Sequence, residues 1–272
     1  MSDEETTGAE VLVRTLHAAG LRTCFANPGT SEMQFVSALD RTGLIRCVLC
    51  LFEGVASGAA DGYARMTGRP AATLLHLGPG LANAGANIHN ARKAASPMVN
   101  LVGEHAQRHL AHDAPLTADI AGLAAPLSHW VRTARSAAGI AADGAEAVAE
   151  ARSWPGRIAT LVAPGDTGWE PGGRVAEPLP PRGPREIDAE ALETAAAALE
   201  APGRTLLYVG GAALADRGAL ALARAIAERT GSDLLAPTSN ARIERGAGIA
   251  PVDQVPYAID LALERLAPHA RA

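Results

Sequence analysis

The sequence is poor in aromatic residues, lysine and cysteine, and each shortage narrows what the protein can be. Aromatic residues make up 3% of the 272 residues and hydrophobic residues 48%, so a core must be built mainly from aliphatic side chains. Lys93 is the only lysine and the net charge is −5, whereas nucleic-acid binding calls for a clustered basic surface. No apolar run approaches the roughly 20 residues of a membrane-spanning helix, and the acidic start Met1–Glu10 is unlike a signal peptide. We therefore expect a cytoplasmic protein that binds neither nucleic acid nor membrane.

The three cysteines are Cys24, Cys47 and Cys50. Three thiols cannot all pair in disulfides, which favours a reducing compartment. Cys47 and Cys50 form a CxxC motif, but both fall in the apolar run 47–52, which we predict to be a strand. Residues three apart on a strand face opposite sides of a sheet, so one metal ion would not reach both. We expect both to be buried structural residues.

Apolar strand-like runs alternate with helical stretches from residue 8 to about residue 163. Because these strands are apolar throughout, both of their faces should be covered, as in a parallel sheet with helical crossovers. The predicted fold class is α/β, a parallel sheet covered by helices on both faces. The predicted strands of this part lie at 22–25, 47–52, 72–77, 98–102, 131–134 and 158–162. Ser31 is the predicted N-cap of a helix that runs to Arg41.

A change of composition divides the chain. Residues 1–165 are the predicted first domain, and the stretch 166–187, rich in proline and glycine, is typical of a linker. Residues 188–272 begin a second α/β unit with two convincing strands, at 204–209 and 233–235. A parallel sheet with its crossovers normally needs more strands, so we interpret this unit as incomplete.

Three segments at the ends of predicted strands have the composition of ligand-binding turns. Glu53 follows the second strand and begins a helix, and open α/β sheets bind ligands at this edge. The helix N-terminus favours an ionised carboxylate, whereas apolar surroundings favour the protonated form; the alternative is a glutamate placed only for the helix dipole. Glycines in the other two turns allow close approach of a ligand. The candidate binding residues of these turns are Asn27, Pro28, Gly29, Thr30, Gly78, Gly80 and Asn83.

Several motifs, taken in their order along the chain, resemble those of a known family. They are Asn27–Thr30, then Glu53 with Ala60–Arg65 and Thr67–Pro70, then Gly78–Gly80 with Asn83. In this order they resemble the pyrimidine-binding domain of thiamine-diphosphate enzymes, in the group of acetolactate synthase, benzoylformate decarboxylase and related 2-oxo acid decarboxylases and carboligases. The combination is specific, although each piece alone is weak. The resemblance covers about residues 8–165, and the second unit resembles the start of that group's central domain.

The resemblance implies a role for Glu53. In that group a glutamate hydrogen-bonds N1′ of the aminopyrimidine ring of thiamine diphosphate and promotes loss of the thiazolium C2 proton. The cofactor then attacks a 2-oxo acid and stores the electrons released with carbon dioxide. The chain is therefore expected to bind the pyrimidine half of thiamine diphosphate. FAD, which some acetolactate synthases bind in the central domain, is not expected, because Gly210-Gly211 lacks the GxGxxG pattern.

His76, at the end of the third predicted strand, is the second candidate catalytic residue. In benzoylformate decarboxylase a histidine in a similar segment relays protons, and imidazole suits proton transfer near neutral pH. Such a role would favour decarboxylation. The alternative is a strand-end histidine whose ring bonds a nearby backbone carbonyl.

The segment after the fourth strand contains Glu104 and the histidines His105, His109 and His112. The related enzymes commonly have glutamine where Glu104 stands, so its role does not carry over. A helix would place the three histidines on one face, as a metal site requires, but the neighbouring Asp113 favours a loop. We predict a solvated or substrate-facing loop and no metal site, and the role of the histidines stays open.

A Gly-Asp-Gly motif, through which the related enzymes hold magnesium and diphosphate, is missing from the sequence. We therefore expect Mg²⁺ only with a diphosphate-binding domain that this chain lacks. The expected partners are a small 2-oxo acid and either further copies in a homo-oligomer or another chain with that domain. The predicted function is the N-terminal portion of an acetolactate synthase-like decarboxylase or carboligase, inactive alone. The alternatives are a non-catalytic truncated or regulatory subunit that pairs with a full-length relative and, less favoured, a nucleotide-binding module.

Overall fold

The computed structural model describes residues 6–269, and the chain divides into two units between Gly183 and Pro184. The strands and helices of the first unit are α1 (Gly8–Ala18), β1 (Thr23–Asn27), α2 (Met33–Thr42), β2 (Arg46–Leu49), α3 (Glu53–Thr67), β3 (Ala71–Leu75), α4 (Leu77–Lys93), β4 (Met98–Glu104), α5 (Ile120–Ala124), β5 (Trp130–Thr133), α6 (Ile140–Arg152), β6 (Ile158–Pro164) and α7 (Gly165–Trp169). The six strands form a parallel sheet in the order β2-β1-β3-β4-β6-β5.

The sheet buries an aliphatic core on each face. One core includes α1, α2 and α6, with Leu12, Phe35 and Val148 among its buried residues. The other includes α3, α4 and α5, where Ala60, Ile88 and Ile120 are buried. The predicted parallel sheet with helices on both faces is confirmed, and the strands are apolar throughout because neither face meets water.

Polar side chains inside the sheet satisfy one another across three neighbouring strands. Thr73, Asn100 and Thr160 lie side by side in register on β3, β4 and β6. The Thr73 hydroxyl donates to Asn100 Oδ1 at 2.8 Å, and Asn100 Nδ2 donates to Thr160 Oγ1 at 3.2 Å. Buried polar groups are costly unless they are hydrogen-bonded in this way. The row fixes the register of the central strands, whose carboxyl ends form the candidate site.

The predicted N-cap role of Ser31 is wrong. A single 3-10 turn, Thr30–Glu32, precedes α2, which begins at Met33. The backbone N–H of Gly29 donates to the Glu32 carboxylate at 2.7 Å, so Glu32 rather than Ser31 satisfies a donor at this turn.

The stretch after β6 lies along the first unit. Gly8 N donates to Glu170 O at 3.0 Å, and Ala176 N donates to Thr15 Oγ1 at 3.0 Å. Further along, Trp154 N donates to Arg182 O at 2.8 Å. The first unit therefore continues to Gly183, beyond the boundary predicted at residue 165.

The elements of the second unit are α8 (Ala189–Glu200), β7 (Leu206–Tyr208), α9 (Arg217–Thr230), β8 (Asp233–Ala236), β9 (Asp253–Gln254) and α10 (Ile259–Leu266). Its strands form a three-stranded parallel sheet in the order β7-β8-β9. The sequence predicts β7 and β8 but not β9, whose two residues are too few to show a pattern. This partial sheet follows the first unit as predicted. Within residues 6–269, no helix is long and apolar enough to cross a membrane.

Candidate functional site

Glu53 is the first residue of α3 and lies just beyond the carboxyl end of β2. Only 8% of it is exposed. Asn83 Nδ2 donates to Glu53 Oε2 at 3.0 Å. On the other side, a Cβ added at Gly80 would lie 3.2 Å from Glu53 Oε1. One carboxylate oxygen is thus held by an amide, and the other faces a residue without a side chain.

The turn predicted at Gly78–Gly80 is wrong, because these residues form the first turn of α4. The helix begins at Leu77, which has φ of 54° and is buried. Gly80 N donates to His76 O at 2.8 Å. A Cβ at Gly78 would lie 2.5 Å from the Ala118 side chain, so close packing also demands glycine there. Because α4 begins at Leu77, Gly80 and Asn83 lie on the side of the helix that faces Glu53.

Asn27, the last residue of β1, holds the segment that connects β2 to α3. Its Nδ2 donates to Cys50 O at 2.7 Å, which ties β1 to the segment between β2 and Glu53. Pro28 and Gly29 complete the turn, and Thr30 begins the 3-10 turn that follows. The Asn27–Thr30 segment therefore borders the same edge of the sheet as Glu53.

His76 and Glu32 form a hydrogen-bonded pair that the sequence analysis missed. His76 Nδ1 lies 2.8 Å from Glu32 Oε2, which also accepts from Gly29 N at 2.7 Å. The His76 ring lies against the bare Cα of Gly29, where a Cβ would overlap it. The capping pattern, a glutamate three residues after the turn glycine, is the signal that could have identified Glu32.

Glu32 is fully buried, whereas the His76 side chain is 24% exposed. A Cβ at Gly103 would overlap Glu32 Oε1, and this oxygen has no hydrogen-bond partner. Burial raises the pKa of Glu32 above the ordinary carboxyl value, and the hydrogen bonds from Gly29 and His76 oppose that shift. The pair can thus hold a proton at the edge of the site and present one side of the imidazole outward.

Glu104 ends β4 and is also buried. Its Oε1 accepts the backbone N–H of His105 at 2.8 Å, and burial raises its pKa. The predicted loop is instead a 3-10 helix, Gln107–His112. The ring of His109 contacts those of His105 and His112, with centroids 5.4 Å apart in each case. Across residues 6–269, no group of three or more His, Cys, Asp or Glu side chains is arranged to hold a metal ion.

Within the motif Ala60–Arg65, Asp61 and Arg65 pair with each other. Arg65 Nε and Nη2 donate to the two oxygens of Asp61 at 2.9 and 2.8 Å. The Ser96 hydroxyl also donates to Asp61, at 2.5 Å. Paired hydrogen bonds of this kind fix geometry as well as adding energy, and here they join α3 to the segment before β4.

The chain is similar to known proteins in sequence and in fold. The family model "Thiamine pyrophosphate enzyme, N-terminal TPP binding domain" matches residues 6–123. The first unit therefore contains a domain of the N-terminal TPP-binding type. A Mycobacterium tuberculosis protein that bears the name acetolactate synthase large subunit IlvX is 47% identical to this chain over 251 residues. The match covers 92% of this chain and 48% of that protein.

Two solved structures of thiamine-diphosphate-dependent enzymes have a similar fold to this chain. A Mycobacterium smegmatis structure described as a thiamin diphosphate-dependent enzyme has a TM-score of 0.83 at 26% identity, over 97% of this chain and 50% of that one. The thiamine diphosphate-dependent 4-hydroxybenzoylformate decarboxylase of Rhodococcus jostii RHA1 has a TM-score of 0.78 at 25% identity, over 96% and 50%. The chain thus spans about half the length of these relatives.

Proposed function

We propose that the chain supplies the pyrimidine-binding side of an acetolactate synthase-like, thiamine-diphosphate-dependent 2-oxo acid decarboxylase or carboligase. The observation that carries this proposal is the arrangement of Glu53, Asn83 and Gly80. A buried carboxylate is held on one oxygen by Asn83, and its other oxygen faces the unsubstituted Cα of Gly80. Such a group can bond a ring nitrogen of a flat heterocycle that approaches along Gly80.

The residues fit the pyrimidine half of the cofactor. Any side chain at Gly80 would fill the space beside Glu53 Oε1. Asn27, Pro28, Gly29, Thr30, Gly78, Gly80 and Asn83 are the proposed cofactor-binding residues, with Glu53. When bound, thiamine diphosphate supplies the electron sink for decarboxylation of a 2-oxo acid. Glu53 would hold or accept a proton at the ring nitrogen, in a setting shielded from water.

His76 is the proposed general acid–base. Glu32 binds its Nδ1, so the ring is oriented and Nε2 is the nitrogen available for proton transfer. A histidine oriented by a carboxylate through its other ring nitrogen is a common arrangement for proton transfer. His76 lies at the start of α4, the helix that also carries Gly80 and Asn83.

The diphosphate and its Mg²⁺ would be held by a separate domain, in a longer form of this chain or in a partner chain. The motif that the related enzymes use for this purpose does not occur among the 272 residues. The proposed substrate is a small 2-oxo acid, and FAD is not part of the proposal.

The test is an amide NMR titration of the chain with thiamine diphosphate and with 4-amino-5-hydroxymethyl-2-methylpyrimidine. We expect shift changes confined to Glu53, Gly80, Asn83 and the Asn27–Thr30 segment, and their loss in Glu53→Gln. Glu146→Gln, on α6 away from this edge, is the control and should bind as the native chain does. Shift changes elsewhere, none at millimolar ligand, or undiminished binding by Glu53→Gln would contradict the proposal.

A further inference from the structure

Cys47 lies beside Cys24 on the neighbouring strand rather than beside Cys50 of its own CxxC motif. Cys24 and Cys47 are register partners on the parallel strands β1 and β2. Cys24 is buried in the core that includes α1, α2 and α6, whereas Cys50 is buried in the core on the other face of the sheet. The prediction that both CxxC cysteines are buried is wrong for Cys47, which is exposed because β2 is an edge strand.

The geometry of this pair suits a covalent bond. Neighbouring strands lie about 4.8 Å apart, and disulfides span Cα separations of about 4.4–6.8 Å. Both thiols are free, and they interact closely enough for each to shift the pKa of the other. An edge strand can also adjust more readily than a central one, because it has one strand neighbour instead of two.

Cys47 has the properties of a nucleophilic thiol, and Cys24 has those of the thiol that resolves it. The hydrogen bond from Cys24 lowers the pKa of Cys47 to about 7, in spite of an opposing effect of burial. The pKa of Cys24 is raised, first by the hydrogen bond to Cys47 and then by its burial. Cys47 therefore reaches the thiolate first and is the exposed member of the pair, and thiolates are the reactive form.

We propose that Cys47 is a peroxide-reactive thiol and that Cys24 resolves it to a cross-strand disulfide. The Cys47 thiolate attacks one oxygen of a hydroperoxide, the O–O bond breaks, and Cys47 becomes a sulfenic acid while the other oxygen takes a proton and leaves as water or an alcohol. The Cys24 sulfur then attacks the Cys47 sulfur, the S–O bond breaks, and a second water leaves with the Cys24 proton. Two thiols lose two electrons and the peroxide gains them.

The proposal does not rest on cofactor binding. Neither Cys24 nor Cys47 contacts Glu53, Asn83 or His76 through any hydrogen bond found in residues 6–269. Cys50, by contrast, bonds Asn27 through its backbone carbonyl and lies nearer the site along the chain. Cys50 is the matched control thiol, because it is buried and its pKa is raised by that burial.

The test is hydrogen peroxide treatment of the reduced chain, followed by blocking of free thiols, trypsin digestion and mass spectrometry. Native protein and Cys50→Ser should both yield the peptides 23–41 and 47–65 joined by a disulfide. Cys24→Ser should instead yield a sulfenic acid at Cys47 that dimedone traps, and Cys47→Ser should yield neither product. Iodoacetamide at pH 7 should label Cys47 about tenfold faster than Cys50, in line with its larger thiolate fraction.

Three results would overturn the proposal. They are a Cys24 cross-link that survives in Cys47→Ser, dimedone capture at Cys50 in place of Cys47, and absence of both products at a peroxide level that oxidises free cysteine. Circular dichroism of each serine variant establishes that it is folded. If a variant does not fold, the labelling rates of Cys47 and Cys50 in the native chain decide the question, and equal rates count against the proposal.

Discussion

His76 Nδ1 and Glu32 Oε2 lie 2.8 Å apart, and the same carboxylate oxygen accepts the N–H of Gly29. This relationship connects three parts of the chain: the turn after β1, the 3-10 turn before α2 and the residue that precedes α4. It gives His76 one orientation at the edge of the site. The pair also places a buried carboxylate next to an ionisable ring, which leads to the first two predictions.

The first prediction concerns the tautomer of His76. An ionised Glu32 accepts from Nδ1–H, so neutral His76 should carry its proton on Nδ1 and leave Nε2 as the acceptor. Glu32→Gln weakens that preference and should shift the ring toward the Nε2–H form. Nitrogen-15 NMR of the imidazole distinguishes the two forms. A native ring in the Nε2–H form, or the same tautomer mixture in both proteins, would contradict the expected role of Glu32.

The second prediction concerns pH and stability. Burial raises the pKa of Glu32 in the folded chain, whereas the unfolded chain has a value near 4.3, typical of glutamate. The folded state therefore holds this proton more tightly, so the contribution of Glu32 to stability is full below about pH 4.3 and is lost as pH rises through the folded pKa. Glu32→Gln should remove that loss. Urea unfolding between pH 4 and pH 8 measures it, and parallel curves for the two proteins would refute it.

The third prediction concerns Gly103. Ala at this position would overlap the buried Glu32 carboxylate, and overpacking of this kind costs about 1–3 kcal/mol. We expect Gly103→Ala to lower the free energy of unfolding by about that amount and to disturb the His76 resonances. Gly62→Ala is the control, because Gly62 lies in helix α3 with open space around it and alanine should add about 0.5–1 kcal/mol there. Similar stabilities for the two variants, measured by urea unfolding, would be inconsistent with this packing.

The fourth prediction concerns Asn83. Its amide orients the Glu53 carboxylate through a 3.0 Å hydrogen bond, and hydrogen bonds to charged groups contribute about 1.5–3 kcal/mol. We expect Asn83→Ala to weaken binding of the aminopyrimidine probe about tenfold or more, a change of about 1.4 kcal/mol. Asn90→Ala, an exposed position on the same helix, should leave affinity unchanged. The two dissociation constants come from NMR titration, and equal weakening in both variants would exclude a specific role for Asn83.

Local sequence was a good guide wherever the pattern and the physical cause were both local. The apolar strands required cover on both faces, and Glu53 begins α3 at the predicted residue. One error involved a distant contact, because Gly78–Gly80 is helical rather than a turn and Gly78 packs against Ala118. The other was a local pattern that was overlooked, since Glu32 rather than Ser31 accepts the Gly29 N–H at the turn before α2.

The sequence by itself determined the α/β class, the order of the strands along the chain and the position of Glu53 at a strand end, because hydrophobic periodicity and chain order are properties of neighbouring residues. Only the tertiary structure decided which groups meet. It placed Asn83 on Glu53, Glu32 on His76 and Cys24 beside Cys47. Each of these pairs joins residues that are more than 20 positions apart in the chain, and their contact depends on strand order and register across the whole sheet.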